Sequence, residues 1–171
     1  YRIPAIVKTS NNEIIAFADK RHGGGDVGQK ASNNQVKNDH IDLVYRRSSD
    51  NGATWGAEQT IQKGTSTMGY GDIAVVADRD NPENIVFFCA AGNTFCTNSQ
   101  RPSGSYVSNT LRCFRFRSSD GGKTWSNQEV TTDIYSLFSN SGAFFSSGRI
   151  CQSKQIKVGK YYRLYAALCV T

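Results

Sequence analysis

Proline is scarce in this chain, three residues in 171 against sixteen glycines, and no segment is of low complexity. No apolar run is long enough to cross a membrane as a helix, which excludes a helical membrane span. The net charge is +6, from twenty Lys and Arg against fourteen Asp and Glu. No block of five or more basic residues exists, however, and no nucleic-acid-binding signature appears. The charge therefore points to an anionic ligand or a solvated surface, and nucleic acid is not expected as a partner. Cys89, Cys96, Cys113, Cys151 and Cys169 form no Cys-x-x-Cys pair and no His/Cys ligand spacing, so no metal site is expected. Cys89 and Cys96 flank a loop, and the spacing leaves a disulfide between them open. The glycines after His22 (Gly23-Gly24-Gly25) lack a following Gly-Lys-Ser/Thr and form no phosphate loop. No Gly-x-Ser-x-Gly elbow exists either, so an esterase reading of His22-Gly23-Gly24-Gly25 fails. Nothing of ten or more residues repeats with a helical period. No cofactor is implied.

What is present is a short motif in two copies. Ser48-Ser49-Asp50-Asn51-Gly52-Ala53-Thr54-Trp55 and Ser118-Ser119-Asp120-Gly121-Gly122-Lys123-Thr124-Trp125 both fit Ser-x-Asp-x-Gly-x-Thr-Trp. Each follows a β-branched or aromatic run, and their separation marks a modular β architecture. The residue types suit a hairpin turn. Asp accepts backbone N–H groups two residues on, Gly takes φ > 0, Thr closes the turn with its hydroxyl, and Trp folds back over the hairpin. The motif is a folding device and says little about catalysis.

The rest of the chain falls into step with it. Strands are expected at 3–8, 13–19, 41–48 and 58–62, with a Ser10-Asn11-Asn12 turn and a long polar loop from Lys20 to Asn38. The cycle repeats at 73–77, 85–90, 111–118 and 129–131, and a third unit starts with strands at 146–152 and 161–168. Each motif lies between the third and fourth strands of a four-stranded antiparallel unit. Such units repeated are propeller blades, whose radial arrangement protects the sheet edges. The expected fold is all-β, the blades of a β-propeller: blade 1 at about 1–62, blade 2 at about 69–131 and the start of a third at about 143–171. Tyr1 is not a Met, and both ends read as cut through structure, so the expectation is an excerpt whose targeting signals could lie outside it.

Tyr1-Arg2-Ile3-Pro4 on the first strand, followed by two Asp motifs in register, resembles the sialidase (neuraminidase) superfamily. The resemblance implies a six-bladed propeller, of which this chain supplies roughly the first half, and a retaining exo-sialidase as the parent protein. It implies sialylated glycans as partners, no membrane insertion, and a secreted, periplasmic or cell-surface location. The rest of the propeller would be needed to close the fold. Sialidases use a Tyr nucleophile, outside the usual two-carboxylate scheme. That Tyr, its partner Glu and two further arginines would lie in later blades. The rival reading is a propeller that holds a sialylated glycan without cleaving it, or an inactive fragment.

The resemblance also nominates residues. Arg2 looks like the first of three arginines that grip the sialic acid carboxylate, a task for which a guanidinium fork is suited. Arg21 resembles the arginine that reaches the ring hydroxyls, and Asp72, in Gly71-Asp72, the carboxylate presented from the second blade. The general acid/base is an Asp on the loop after Arg21, and here the sequence departs from the family by carrying extra residues. Counted from Arg2 it is Asp26; counted back from the first Asp motif it is Asp39. Asp26 is preferred, because the Gly-rich approach gives its loop freedom to move. His22 and His40 read as loop polar residues, and Arg149 as structural.

Overall fold

The computed structural model describes residues 1–9, 12–22, 26–27, 41–65, 67–103 and 110–171. Asp39, His40 and Gly23–Gly25 lie outside the described residues.

The first sheet is four-stranded and antiparallel, in the order β1 (Arg2–Lys8), β2 (Ile14–Arg21), β3 (Ile41–Ser48), β4 (Gln59–Gln62). The second repeats the plan with β5 (Gly69–Ala77), β6 (Ile85–Gly92), β7 (Arg112–Ser118) and β8 (Ser126–Glu129). β2 runs on through Lys20 and Arg21, which were expected in the loop, because both pair with β3 at Asp42 and Ile41. β8 ends before Thr131, contrary to expectation. There the buried Thr131 hydroxyl accepts the Cys113 N–H (3.1 Å), and the chain turns into the single-turn helix α1 (Thr131–Tyr135).

Period-two alternation explains the core. In β2, Ile15, Phe17 and Asp19 point inward. Phe17 meets Phe87 of the second sheet at 5.9 Å between ring centroids, and Phe87 stacks on Phe116 at 4.7 Å. One apolar cluster thus runs through both sheets, from Val7 to Phe116. Burying an aromatic side chain of this kind contributes roughly 1.5–3 kcal/mol.

Both Asp motifs fold alike. The buried Ser48 hydroxyl donates to Asp50 Oδ1 (2.6 Å) and accepts the Gly52 N–H (2.7 Å). Asp50 accepts the Thr54 N–H (2.9 Å) and hydroxyl (2.6 Å), four residues on rather than two. Ser118, Asp120, Gly122 and Thr124 reproduce the pattern at 2.7, 2.7, 3.0 and 2.6 Å. The Ser48 and Thr54 hydroxyls hold the Asp50 carboxyl down at about 2. The two turns differ in what they touch. Trp125 packs on Phe17 of the first sheet (6.0 Å, edge-on) and on Phe87 (5.1 Å), while Trp55 is 39% exposed.

The third unit is not a four-stranded sheet. The expected strand at 146–152 breaks at Ile150: β10 (Gly148–Arg149) adds in parallel to β5, and β11 (Cys151–Val158) forms a hairpin with β12 (Tyr161–Tyr165). The run at 161–168 also breaks, and β13 (Leu168–Val170) pairs with β9 (Ala143–Phe145). The Ile150 N–H bonds Val75 O (2.9 Å), which ties this unit to the edge of the second sheet. The thiols of Cys89 and Cys96 are free, and the two residues sit in different apolar clusters.

Candidate active site

Strands β1 and β5, the first in sequence of the two sheets, carry the same irregularity. In β1 the register with β2 slips between Arg2 and Ala5, and Ile3 takes φ +52°. In β5 it slips between Gly71 and Ala74, and Asp72 takes φ +59°. These are β-bulges, with Ile3 and Pro4 in one and Asp72 and Ile73 in the other. Pro4 is tolerated there because a bulge needs no ladder N–H at that point. A left-handed backbone at a β-branched Ile is strained, and such outliers gather at functional sites.

The two bulges lie side by side, and the predicted residues converge on them. Arg21, at the end of β2, has a side chain only 3% exposed; its Nη2 lies 3.1 Å from Asp19 Oδ2 and 3.2 Å from Asp26 Oδ1. Asp26 is the accessible member, with a third of its side chain exposed, and its carboxylate also accepts the Val27 N–H (2.8 Å). Burial raises the Asp72 carboxyl above its ordinary range and the Asp26 charge adds to this, while Arg21 and Arg2 pull it back. Arg2 stands in register with Asp19 across β1 and β2, and its side chain is exposed. Arg2, Arg21, Asp26 and Asp72 therefore share one electrostatic environment. Arg149, on β10, stands apart from them, against Val75 of β5. His22 Nε2 lies 2.9 Å from Asp42 Oδ2, and Asp42 also accepts the Gly64 N–H (2.8 Å).

Sequence reasoning missed Asp19. It is fully buried, and burial followed by the nearby Asp72 charge pushes its carboxyl up to about 7 against the pull of Arg21. One signal could have found it: Asp19 occupies the inward phase of β2, two residues after Phe17, where an apolar side chain belongs.

This arrangement offers two cations and a partly exposed carboxylate at the seam of two sheets, groups that can hold an anion and exchange a proton beside it. Known proteins resemble the chain as a whole. The chain is 30% identical over 137 residues to a sialidase of Micromonospora viridifaciens, which covers 78% of the chain and 20% of that protein. It is 29% identical over 153 residues to an exo-alpha-sialidase of Aspergillus fumigatus, covering 78% of the chain and 35% of the relative. The chain is similar to sialidases along most of its length. Among solved structures, the Hadza microbial sialidase Hz136 superposes with a TM-score of 0.70 at 25% identity, covering 90% of this chain and 30% of that one. No protein-family profile matches the chain. The chain spans between a fifth and about a third of the length of these sialidases.

Proposed function

We propose that this chain builds one side of the catalytic centre of a retaining exo-α-sialidase, which releases terminal sialic acid from glycoconjugates. The convergence of Arg2, Arg21, Asp26 and Asp72 at the paired bulges carries the reading. Arg2 grips the sugar carboxylate from the exposed edge of β1, and Arg21 and Asp72 meet the ring substituents. Asp26 is the general acid: it protonates the departing glycosidic oxygen and, in the second step, takes a proton from water. Its place beside Arg21 and open to solvent suits both tasks. Asp39 is the alternative position for the acid.

A Tyr nucleophile, the Glu that takes its proton and two more carboxylate-gripping arginines come from further blades that complete a six-bladed ring. A neutral Tyr hydroxyl keeps a second anion away from the substrate carboxylate, and the partner Glu activates it. The two Asp motifs are then the Asp-box turns of the first two blades. Sialylated glycans place the protein outside the cytoplasm, secreted, periplasmic or on the cell surface.

The test is turnover by the intact protein. Release of 4-methylumbelliferone from its α-sialoside is expected, with the α-anomer of sialic acid appearing first by proton NMR. Isolated residues 1–171 are expected to release none, because the developing charge is met from one side only. An intact protein that binds sialic acid and cleaves nothing would instead support a glycan-binding propeller.

A further inference from the structure

We propose that Asp19 is a positioning residue that fastens Arg21 of the first sheet to the backbone of Asp72 in the second, so that the two substrate-facing groups are set as one unit. This rests on the sialidase reading for what Arg21 and Asp72 touch. The linkage itself rests on geometry. Asp19 Oδ2 accepts from Arg21 Nη2 at 3.1 Å, while Oδ1 accepts the Asp72 N–H at 3.2 Å. One carboxylate thus spends one oxygen on each blade, and it is wholly shielded from water.

Two features of β5 are explained by this bond. Asp72 stands at φ +59°, a conformation that non-glycine residues adopt only when their surroundings enforce it, and the bond to Asp19 is an enforcing contact. The residue before it is Gly71, where a Cβ would lie 2.8 Å from Asp19 Oδ2. The Asp19 carboxylate therefore fills the space that any other residue at position 71 would need. Arg21 and the Asp72 bulge are positioned by the same two oxygens.

The cluster is also charge-heavy. Asp19 faces Arg21 on its own strand, Asp72 on β5, Asp26 beyond β2, Arg2 on β1 and Cys89 on β6. Burial and Asp72 push the Asp19 carboxyl up to about 7, so its charge changes near neutrality. The unprotonated form accepts from both donors, whereas an amide in its place turns an N–H toward one of them.

The experiment uses the intact enzyme and the variants Asp19→Asn, Asp72→Ala and their combination, with sialyllactose as substrate. Loss of one hydrogen bond to a charged group corresponds to about a 10- to 100-fold fall in kcat/KM, expected chiefly in KM for Asp19→Asn. The double variant is expected to lose less than the product of the two single losses, because the part of the Asp19→Asn loss that comes from misplacing the Asp72 carboxylate is already taken by Asp72→Ala. Asp19→Asn within twofold of the parent, or losses that multiply with Asp72→Ala, would overturn the proposal. Should Asp19→Asn not accumulate as folded protein, Gly71→Ala displaces the same carboxylate while keeping every polar group, and the same losses are expected. A crystal structure of either variant decides the positional claim irrespective of turnover. Asp72 is expected to leave the left-handed region and Arg21 to lose its pose; both unmoved would refute it. Absence of activity and of sialic acid binding in the parent protein would count against the sialidase reading, leaving the structural outcome to judge Asp19.

Discussion

At Asp19 the folded protein keeps a proton that the unfolded chain releases. Its carboxyl stands at about 7 in the fold against 3.8 in a free chain, with burial the main cause. A raised acid of this kind contributes stability that is fully present below pH ~4 and disappears as pH rises through ~7, worth up to about 4 kcal/mol. Urea denaturation of the parent and Asp19→Asn at pH 4 and pH 8 measures this. The parent's advantage should shrink, or reverse, at the higher pH; an advantage that grows with pH would contradict the assignment. Arg2 invites a different substitution. Arg2→Lys exchanges a bidentate fork for a point charge, and it should weaken the hold on the substrate carboxylate by about 2–5 kcal/mol, seen as a fall in kcat/KM of the intact enzyme. Unchanged efficiency would make Arg2 a structural residue. Arg2, Arg21 and Asp72 could be nominated from the sequence because each stands in a short recognisable context, and the fold brings them to one place. Asp19 was not, because its meaning lies in a neighbour 53 positions away that only the packing of two sheets brings near.

The Asp motifs are the elements whose local chemistry decides most of the fold. Eight strands of the two sheets were legible to within a few residues, since alternation and turn residues act over short distances. Strands β9 to β13 were read less well, because β10 is placed by a parallel bond to β5 that no local pattern encodes. The turn chemistry was right in residue type and wrong in reach: Asp50 and Asp120 secure the Thr four residues on, and the buried Ser at the first position anchors the loop. Adjacent glycines in the second turn permit a sharp comparison. Gly121 and Gly122 both have positive φ, at +69° and +80°, but a Cβ on Gly121 meets nothing, whereas one on Gly122 lies 3.0 Å from Ile15 and Trp125. Gly121→Ala should cost only the left-handed backbone term, roughly 1–2 kcal/mol. Gly122→Ala should cost more, by a further ~1–3 kcal/mol of overpacking, because its turn is wedged against the first sheet. Thermal unfolding of the two variants checks the order, and equal losses would mean the seam is looser than described.

Across the whole molecule, the two sheets are joined by a continuous core in which Phe17, Phe87, Phe116 and Trp125 interlock. Arg47 strengthens the join by pairing with Glu13 (3.2 Å) and donating to the carbonyl of Gly121. The same seam holds the paired bulges, so the site's geometry and the packing of the two sheets are one problem. The catalytic assignment within that seam turns on Asp26, and the leaving group tests it. Asp26→Asn in the intact enzyme is to be compared on sialyllactose, whose alcohol needs a proton to depart, and on 4-methylumbelliferyl sialoside, whose phenol departs unaided. A loss of about 10²- to 10⁴-fold in kcat/KM is expected on sialyllactose, with a much smaller one on the aryl substrate. Asp39→Asn should lower both slightly and alike. Equal losses on the two substrates for Asp26→Asn, or leaving-group dependence appearing in Asp39→Asn, would contradict the account.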